Sequence, residues 1–185
     1  FGAGLAAYLF VRSGAFPVLI VDRNVVSARE FETHLAALSQ YYTTLIAEKK
    51  LSDTSIVSVD QIRDELRRAT LEQFIEDTLI AKEISKKIGV REGDDLVQGK
   101  LGEIEGKITA PNFGEAVQNL YGLSVERFTK LALVPQARRE LLVAELTKEQ
   151  KEFGAWLTDA RKGASVHILL RGFTWEEGMV VVGGE

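Results

Sequence analysis

The sequence has no cysteine, only two histidines and only three prolines among its 185 residues. Without cysteine, the chain cannot form a disulfide framework, a thiolate zinc site or a cysteine nucleophile. The first histidine, His34, falls on the polar side of a predicted helix, so we expect it to be solvated. The carboxylate pairs Asp94-Asp95 and Glu176-Glu177 have no histidine nearby, so they are expected at the surface. We therefore predict no catalytic residues, no metal ligands and no cofactor.

The sequence also lacks an excess of basic residues. Its net charge is −4 and its pI is about 5.4, whereas phosphate binding needs a concentrated basic face. Basic pairs such as Arg67-Arg68 and Arg138-Arg139 have acidic neighbours, and we interpret them as solvated helix faces. Nucleic acid is thus not the expected partner, and 45% apolar with 27% charged residues indicates a globular chain.

Long apolar runs are scarce, and the most apolar one lies at the start. Residues 1–11 (FGAGLAAYLFV) are too few to cross a bilayer, which takes about 20 residues. They are either the end of a membrane or signal segment whose beginning is missing, or a short buried helix. The polar residues Arg12 and Ser13 that follow favour the membrane segment, which we place at residues 1–15. Since the first residue is phenylalanine, we expect the chain to be a fragment or a trimmed product.

The same region contains a match to the dinucleotide-binding fingerprint, from Gly2 to Ala7. That motif needs a strand before its first glycine and a crossover helix after its last position. Here only Phe1 precedes Gly2, and helical patterns rather than alternating strands follow Asp22. We therefore do not interpret this match as a nucleotide site.

The first structural signals are a strand and a capped helix. Residues 16–21 (FPVLIV) predict a strand, and Val25-Val26 could return as the second arm of a tight hairpin. Ser27 and Glu30 form a capping box at the start of a helix, with Val26 and Phe31 spaced as a hydrophobic staple.

A second capping box at Ser58 and Gln61 precedes a long amphipathic helix over residues 59–88, which would measure about 45 Å. Gly89 is expected to end this helix in a Schellman-type stop. One small core cannot cover such a helix, so part of its surface must contact a partner, a substrate or another arm of the same protein.

Shorter helices follow in the second half of the sequence. Residues 96–108 predict a weak helix because three glycines interrupt it. Asn112 and Ser124 are candidate caps for two further helices, and Pro135 should interrupt the second near Leu131. The helical pattern then continues to Gly163.

The pattern becomes strand-like again at residues 165–170 (SVHILL), and residues 179–185 could form another strand or a disordered end. The two terminal strand segments could pair with each other. The predicted fold is mainly α, a multi-helix domain with a small β element formed by its N- and C-terminal segments.

Three segments together resemble SurA-type and PrsA-type chaperone domains, which accompany parvulin-type prolyl isomerases. The first is the strand, turn and capped helix at residues 16–31. The second is the long helix over residues 66–88 that ends in Gly89 and Val90. The third is the step from helix through Gly-Leu-Ser to helix at residues 113–128. The resemblance extends over roughly residues 16–168, although Asp22-Arg23 replaces the family's usual Asn-Gly turn.

The resemblance implies a SurA-like helical chaperone domain at residues 16–175, followed by a tail at residues 176–185. The domain would bind unfolded or nascent polypeptides outside the cytoplasm, either periplasmic or tethered to the membrane by its N-terminal segment. It would act as a holdase or foldase without catalysis, and its oligomeric state stays open. The candidate peptide-binding residues are the aromatic side chains Tyr41, Tyr42, Tyr121, Phe128, Phe153 and Trp156.

Two alternatives stay open. The chain could be a fragment of a parvulin-type isomerase, but only 15 residues follow Leu170 and the catalytic domain needs about 90. His167 is then either the beginning of that domain or part of a closing strand. The chain could instead be a structural assembly module with one fixed partner.

Overall fold

The computed structural model describes residues 15–47 and 59–183. Over these residues the protein is mainly helical, with two small antiparallel sheets. The predicted fold class is therefore confirmed. Residues 1–11 and the predicted capping box at Ser58 lie outside the described residues.

The N-terminal hairpin consists of β1 (Pro17–Val21) and β2 (Asn24–Ser27), which pair antiparallel. The Asp22-Arg23 turn closes this hairpin, because Asp22 adopts a positive φ of 54°, which aspartate tolerates better than most residues. Its carboxylate accepts hydrogen bonds from the Lys82 ammonium at 2.5 Å and from the backbone N–H of Ser165 at 3.1 Å. Asp22 thus ties the turn to a helix and to the C-terminal region.

The two terminal segments pair as predicted. Strand β3 (Val166–Ile168) runs antiparallel to β1 and gives a sheet of order β2-β1-β3. In this sheet His167 lies opposite Ile20. His167 is therefore a residue of the strand that closes the domain.

A second hairpin follows, formed by β4 (Phe173–Glu176) and β5 (Met179–Val182). Its two turn residues, Glu177 and Gly178, both have positive φ, as a two-residue turn of type I′ requires. Phe173 and Val180 are buried in the main core. The described part of the tail predicted at residues 176–185 is thus paired with the strand before it.

The first helix, α1 (Ala28–Ala47), begins with the predicted capping box. The Glu30 N–H donates to the Ser27 hydroxyl at 3.2 Å, and the Ser27 N–H donates to the Glu30 carboxylate at 3.4 Å. Val26 and Phe31 are both buried, as a staple requires. The cap fixes the direction in which α1 leaves the sheet.

The long helix α2 (Val59–Ile88) has the predicted bounds and lies in the centre of the molecule. One end packs with β1, α1 and the second hairpin through Leu71 and Ile75, and the other end packs with later helices through Ile80 and Ile84. Of the three ways proposed to cover this helix, the structure thus shows the third, in which other arms of the same protein pack against it.

The next helix, α3 (Val90–Gly106), begins directly after Gly89, so the predicted weak helix is longer than expected. Gly89 ends α2 with a positive φ of 96° and a ψ of 156°, which is not the left-handed turn of a Schellman motif. Gly93 is the glycine that close packing requires, because a Cβ there would lie 2.9 Å from Ile84 Cγ2. A Cβ at Gly99, Gly102 or Gly106 would meet no other atom within 4 Å.

The remaining helices are α4 (Phe113–Tyr121), α5 (Val125–Phe128), a π-helical segment (Thr129–Leu133), α6 (Val134–Lys148) and α7 (Phe153–Gly163). The Ser124 hydroxyl caps α5, but the Asn112 side chain does not cap α4. Pro135 disturbs the helix where predicted: the Val134 N–H donates to the Thr129 carbonyl, a π-type bond five residues back.

The prediction that one helix continues from Arg139 to Gly163 is wrong. Helices α6 and α7 are separated at residues 149–152, where Gln150 adopts a positive φ of 58°. The Leu146 carbonyl accepts from the N–H groups of Glu149 and Lys151 and so ends α6. Nothing in the apolar spacing indicates this turn, since apolar residues continue at helical intervals on both sides of it.

Candidate functional site

The described chain has an open cleft of about 990 Å³. Strand β2 and the first turns of α1 form one side, α2 forms the floor, and the segment from Ser124 to Arg138 forms the opposite side. Its lining is mixed, with apolar side chains such as Val25, Phe74, Leu131 and Pro135 beside polar and charged ones. We take this cleft as the candidate site because ligand sites are typically concave, and its lining combines exposed apolar groups with a larger number of polar and charged ones.

His34 lies in the wall of the cleft, and the prediction that it is solvated is wrong. Its residue surface is 8% exposed, and its ring contacts Phe74 edge to face with centroids 4.8 Å apart. Helical spacing explains the burial, because His34 follows the buried Phe31 by three residues and therefore lies on the same face of α1. Burial lowers the pKa of His34, while nearby Glu30 opposes this effect. The imidazole is thus neutral at pH 7, and its Nδ1 has no hydrogen-bond partner.

Asp77 borders the same cleft from the floor helix α2. Burial is the main cause that raises the pKa of Asp77 to about 7, and neighbouring Glu76 raises it further. The guanidinium groups of Arg138 and Arg139 act in the opposite direction. Asp77 also borders a smaller cleft of about 370 Å³ on the other side of Pro135. Near neutral pH this carboxyl group therefore exists in both protonation states.

The charged side chains of the cleft are predominantly basic. The basic residues are Arg29, Lys82, Arg127, Lys130 and Arg138, and the acidic ones are Glu30, Asp77 and Glu126. Lys82 pairs with Asp22 at 2.5 Å and Lys130 pairs with Glu126 at 2.7 Å. Within the described residues, no ion pair engages the three arginines. The cleft is thus a basic surface on an acidic protein.

Arg138 and Arg139 lie in different surroundings, and the Arg139 side chain is 52% exposed, in agreement with a solvated position. Arg138 lies at the cleft, whereas Arg139 pairs with Glu76 at 2.7 Å and its guanidinium lies 4.7 Å from the centre of the Phe153 ring. The cause is the packing of α6 against α2, which places Glu76 and Asp77 of α2 beside these side chains. Local acidic neighbours in the sequence could not indicate this arrangement.

Three of the predicted peptide-binding aromatics form one cluster next to the cleft. Tyr41 and Tyr121 stack with centroids 5.0 Å apart, and Tyr121 contacts Phe128 at 5.0 Å. Phe113, which the sequence did not single out, adds a contact to Phe128 at 6.0 Å. Leu131 packs against this cluster and also lines the cleft. Burial raises the pKa of the Tyr121 hydroxyl.

Of the other three predicted aromatics, Tyr42 borders this cluster, whereas Phe153 and Trp156 lie elsewhere. Tyr42 is 39% exposed beside Tyr41, with ring centroids 6.0 Å apart. Phe153 and Trp156 contact each other at 5.6 Å, and Trp156 packs against both the main core and the α2–α6 core. Neither Phe153 nor Trp156 lines the large cleft. The structure therefore brings together Tyr41, Tyr121 and Phe128, and separates them from Phe153 and Trp156.

The hydroxyls of Thr33 and Thr78, which line the cleft, donate to backbone carbonyls of their own helices. In the part of the chain that the structure describes, no group of three or more acidic or histidine side chains could hold a metal ion. The same residues include no helix that is long and apolar enough to cross a membrane.

Comparisons with known proteins return no family model, no curated protein and no solved structure that matches this chain. The function must therefore be inferred from the cleft and its surroundings.

Proposed function

We propose that this chain is a chaperone-like domain that binds unfolded or partly folded polypeptides and performs no catalysis. The observation that carries the proposal is the open cleft of about 990 Å³ between β2, α1, α2 and the Ser124–Arg138 side. Its extracytoplasmic location and N-terminal membrane tether stay predictions from the sequence.

The composition of the cleft supports a polypeptide ligand. An unfolded segment presents apolar side chains, charged side chains and backbone amides together, and the cleft offers partners for each. Val25 is 57% exposed at the border of the cleft. Leu131 lines the cleft and also packs against the aromatic cluster of Tyr121 and Phe128. An open, mixed surface of this kind can accommodate varied side chains, which a closed pocket with fixed geometry cannot.

The first test is suppression of aggregation of a chemically unfolded client by the complete 185-residue chain, followed by light scattering. A prolyl-isomerase assay on a short peptide is run in parallel. We expect suppression without isomerase activity. Isomerase activity would contradict the absence of catalysis, and no suppression would favour a dedicated assembly partner.

A matched pair of variants locates the binding surface. Val25→Glu places a charge at the border of the cleft, and Val182→Glu places the same charge on a 49% exposed valine in β5, which does not line the cleft. A glutamate there removes the apolar contact of Val25 with a client and competes with client carboxylates for the basic residues of the cleft. If this costs at least about 1 kcal/mol, Val25→Glu should lower suppression roughly fivefold. Val182→Glu should leave it unchanged. Equal losses in both variants would show that the cleft is not the binding surface.

A further inference from the structure

The cleft follows the open edge of strand β2. All four residues of β2, from Asn24 to Ser27, line it. Because successive side chains of a strand point to opposite faces, contact with four consecutive residues indicates that the cleft follows the strand's edge rather than one face. In the described chain β2 pairs only with β1, so its other edge has no strand beside it. Such an edge is a template for an added strand, up to Ser27, whose N–H already donates to the Glu30 carboxylate.

Three arginines surround this edge from two sides. Arg29 lies at the start of α1, two residues beyond β2, whereas Arg127 and Arg138 lie on the opposite side. None of them forms an ion pair within 4.0 Å in the described residues, while Lys82 and Lys130 are already paired. Arg138 acts electrostatically on Asp77 and Arg127 acts on Glu126, but basic side chains outnumber acidic ones in the cleft. A chain of net charge −4 thus presents a basic cleft, where a ligand with carboxylates would find complementary charge.

We propose that the cleft binds an extended polypeptide segment as an added strand along β2, and that it selects segments in which carboxylate side chains alternate with apolar ones. This inference rests on the proposed peptide-binding function and specifies its ligand. The four residues of β2 match a segment of about 13 Å. In such a segment, apolar side chains face Val25 and Leu131, and carboxylates reach the arginines.

The test uses fluorescence anisotropy of short labelled peptides with the complete chain. Three matched peptides alternate valine with glutamate, glutamine or lysine. Because hydrogen bonds to charged groups are stronger than neutral ones, the glutamate peptide should bind about tenfold more tightly than the glutamine peptide. The lysine peptide should bind most weakly, and salt should reduce the difference.

Variants identify the residues that discriminate. Arg127→Gln and Arg138→Gln should each weaken the glutamate peptide severalfold and leave the glutamine peptide unchanged. Arg171→Gln is the control, because Arg171 is exposed and does not line the cleft. Equal binding of the glutamate and lysine peptides, or equal effects of all three variants, would overturn the selectivity.

Backbone methylation of the peptide tests strand addition without altering the protein. An added strand uses the N–H groups of only one of its edges, so methylation of one alternate set should abolish binding and methylation of the other set should not. Equal effects of both sets would overturn the strand geometry. If client aggregation is suppressed and Val25→Glu still lowers suppression, failure of the peptide experiments rejects this inference alone; absence of suppression rejects the proposed function itself.

Discussion

The replacement Asp77→Asn should stabilise this protein at neutral pH. The side chain lies on α2 at the border of the cleft, where burial raises its pKa from 3.8 to about 7. The folded protein therefore binds one more proton than the unfolded chain between about pH 4 and pH 7. Its free energy of unfolding must fall as the pH rises through this interval, and it remains low above it. Asparagine cannot ionise and so removes this loss.

The magnitude follows from the difference between the two pKa values. A difference of about 3 units, at 1.36 kcal/mol each, sets an upper limit of about 4 kcal/mol. Asp77 borders open clefts on two sides, so water reduces the desolvation penalty. We expect a gain of about 2 kcal/mol at roughly pH 8 and a gain near zero at roughly pH 4.

Urea denaturation of both proteins across this pH range, followed by circular dichroism, measures the effect. The control is Asp95→Asn, since Asp95 is exposed on α3 and makes no ion pair in the described part of the chain. If Asp77→Asn is neutral or destabilising at the alkaline end, or if its gain is independent of pH, burial does not raise the pKa of Asp77 in the folded protein. An equal gain in the control would point to net charge as the cause.

Two further predictions concern stability. Gly93→Ala should destabilise the protein by about 1–3 kcal/mol, because its Cβ would lie 2.9 Å from Ile84 Cγ2. Gly99→Ala should stabilise it by up to about 1 kcal/mol, because a Cβ there meets no other atom within 4 Å. Equal effects of the two variants in thermal unfolding would contradict the packing of α3 on α2. Asp22→Ala should cost about 1–2 kcal/mol by removing the acceptor for Lys82 and Ser165. Asp22→Asn should cost less, because it keeps an acceptor and tolerates the positive φ. Since the Lys82 hydrogen bond lowers the pKa of Asp22, the ionic part of this contribution should be present above about pH 4 and lost as acid protonates the carboxylate. Urea titrations measure it, and a difference in unfolding free energy between Asp22→Ala and the unchanged protein that does not vary with pH would contradict this reasoning.

Local signals in the sequence predicted much of the fold. The capping box at Ser27 and the apolar stripe of residues 59–88 gave the starts or bounds of α1 and α2 because their causes lie within a few residues. The turn at Gln150 was missed, since a left-handed glutamine between two helical patterns has no local signature. Gly93 was also missed as the packing glycine, because its partner Ile84 lies on another helix.

The candidate site was less predictable than the fold. Aromatic residues were a reasonable guide to one cluster, since Tyr41, Tyr121 and Phe128 do meet. The cleft depends instead on charged residues from elements far apart in the sequence, and their proximity follows only from tertiary packing. One signal was available: Asp77 follows Phe74 by three residues and therefore shares its side of α2. An acidic residue beside an apolar stripe, with a raised pKa, is a typical mark of a functional site.

The pairing of β3 with β1 has a consequence for the order of folding. Strand β1 cannot acquire its second neighbour until α1 to α7 have been synthesised, because β3 follows all of them. Local helices and the first hairpin can form early, whereas this contact of long sequence separation must form late. Until then β1 exposes an unpaired apolar edge. A domain proposed to protect unfolded chains would itself pass through a stage in which it needs the same protection.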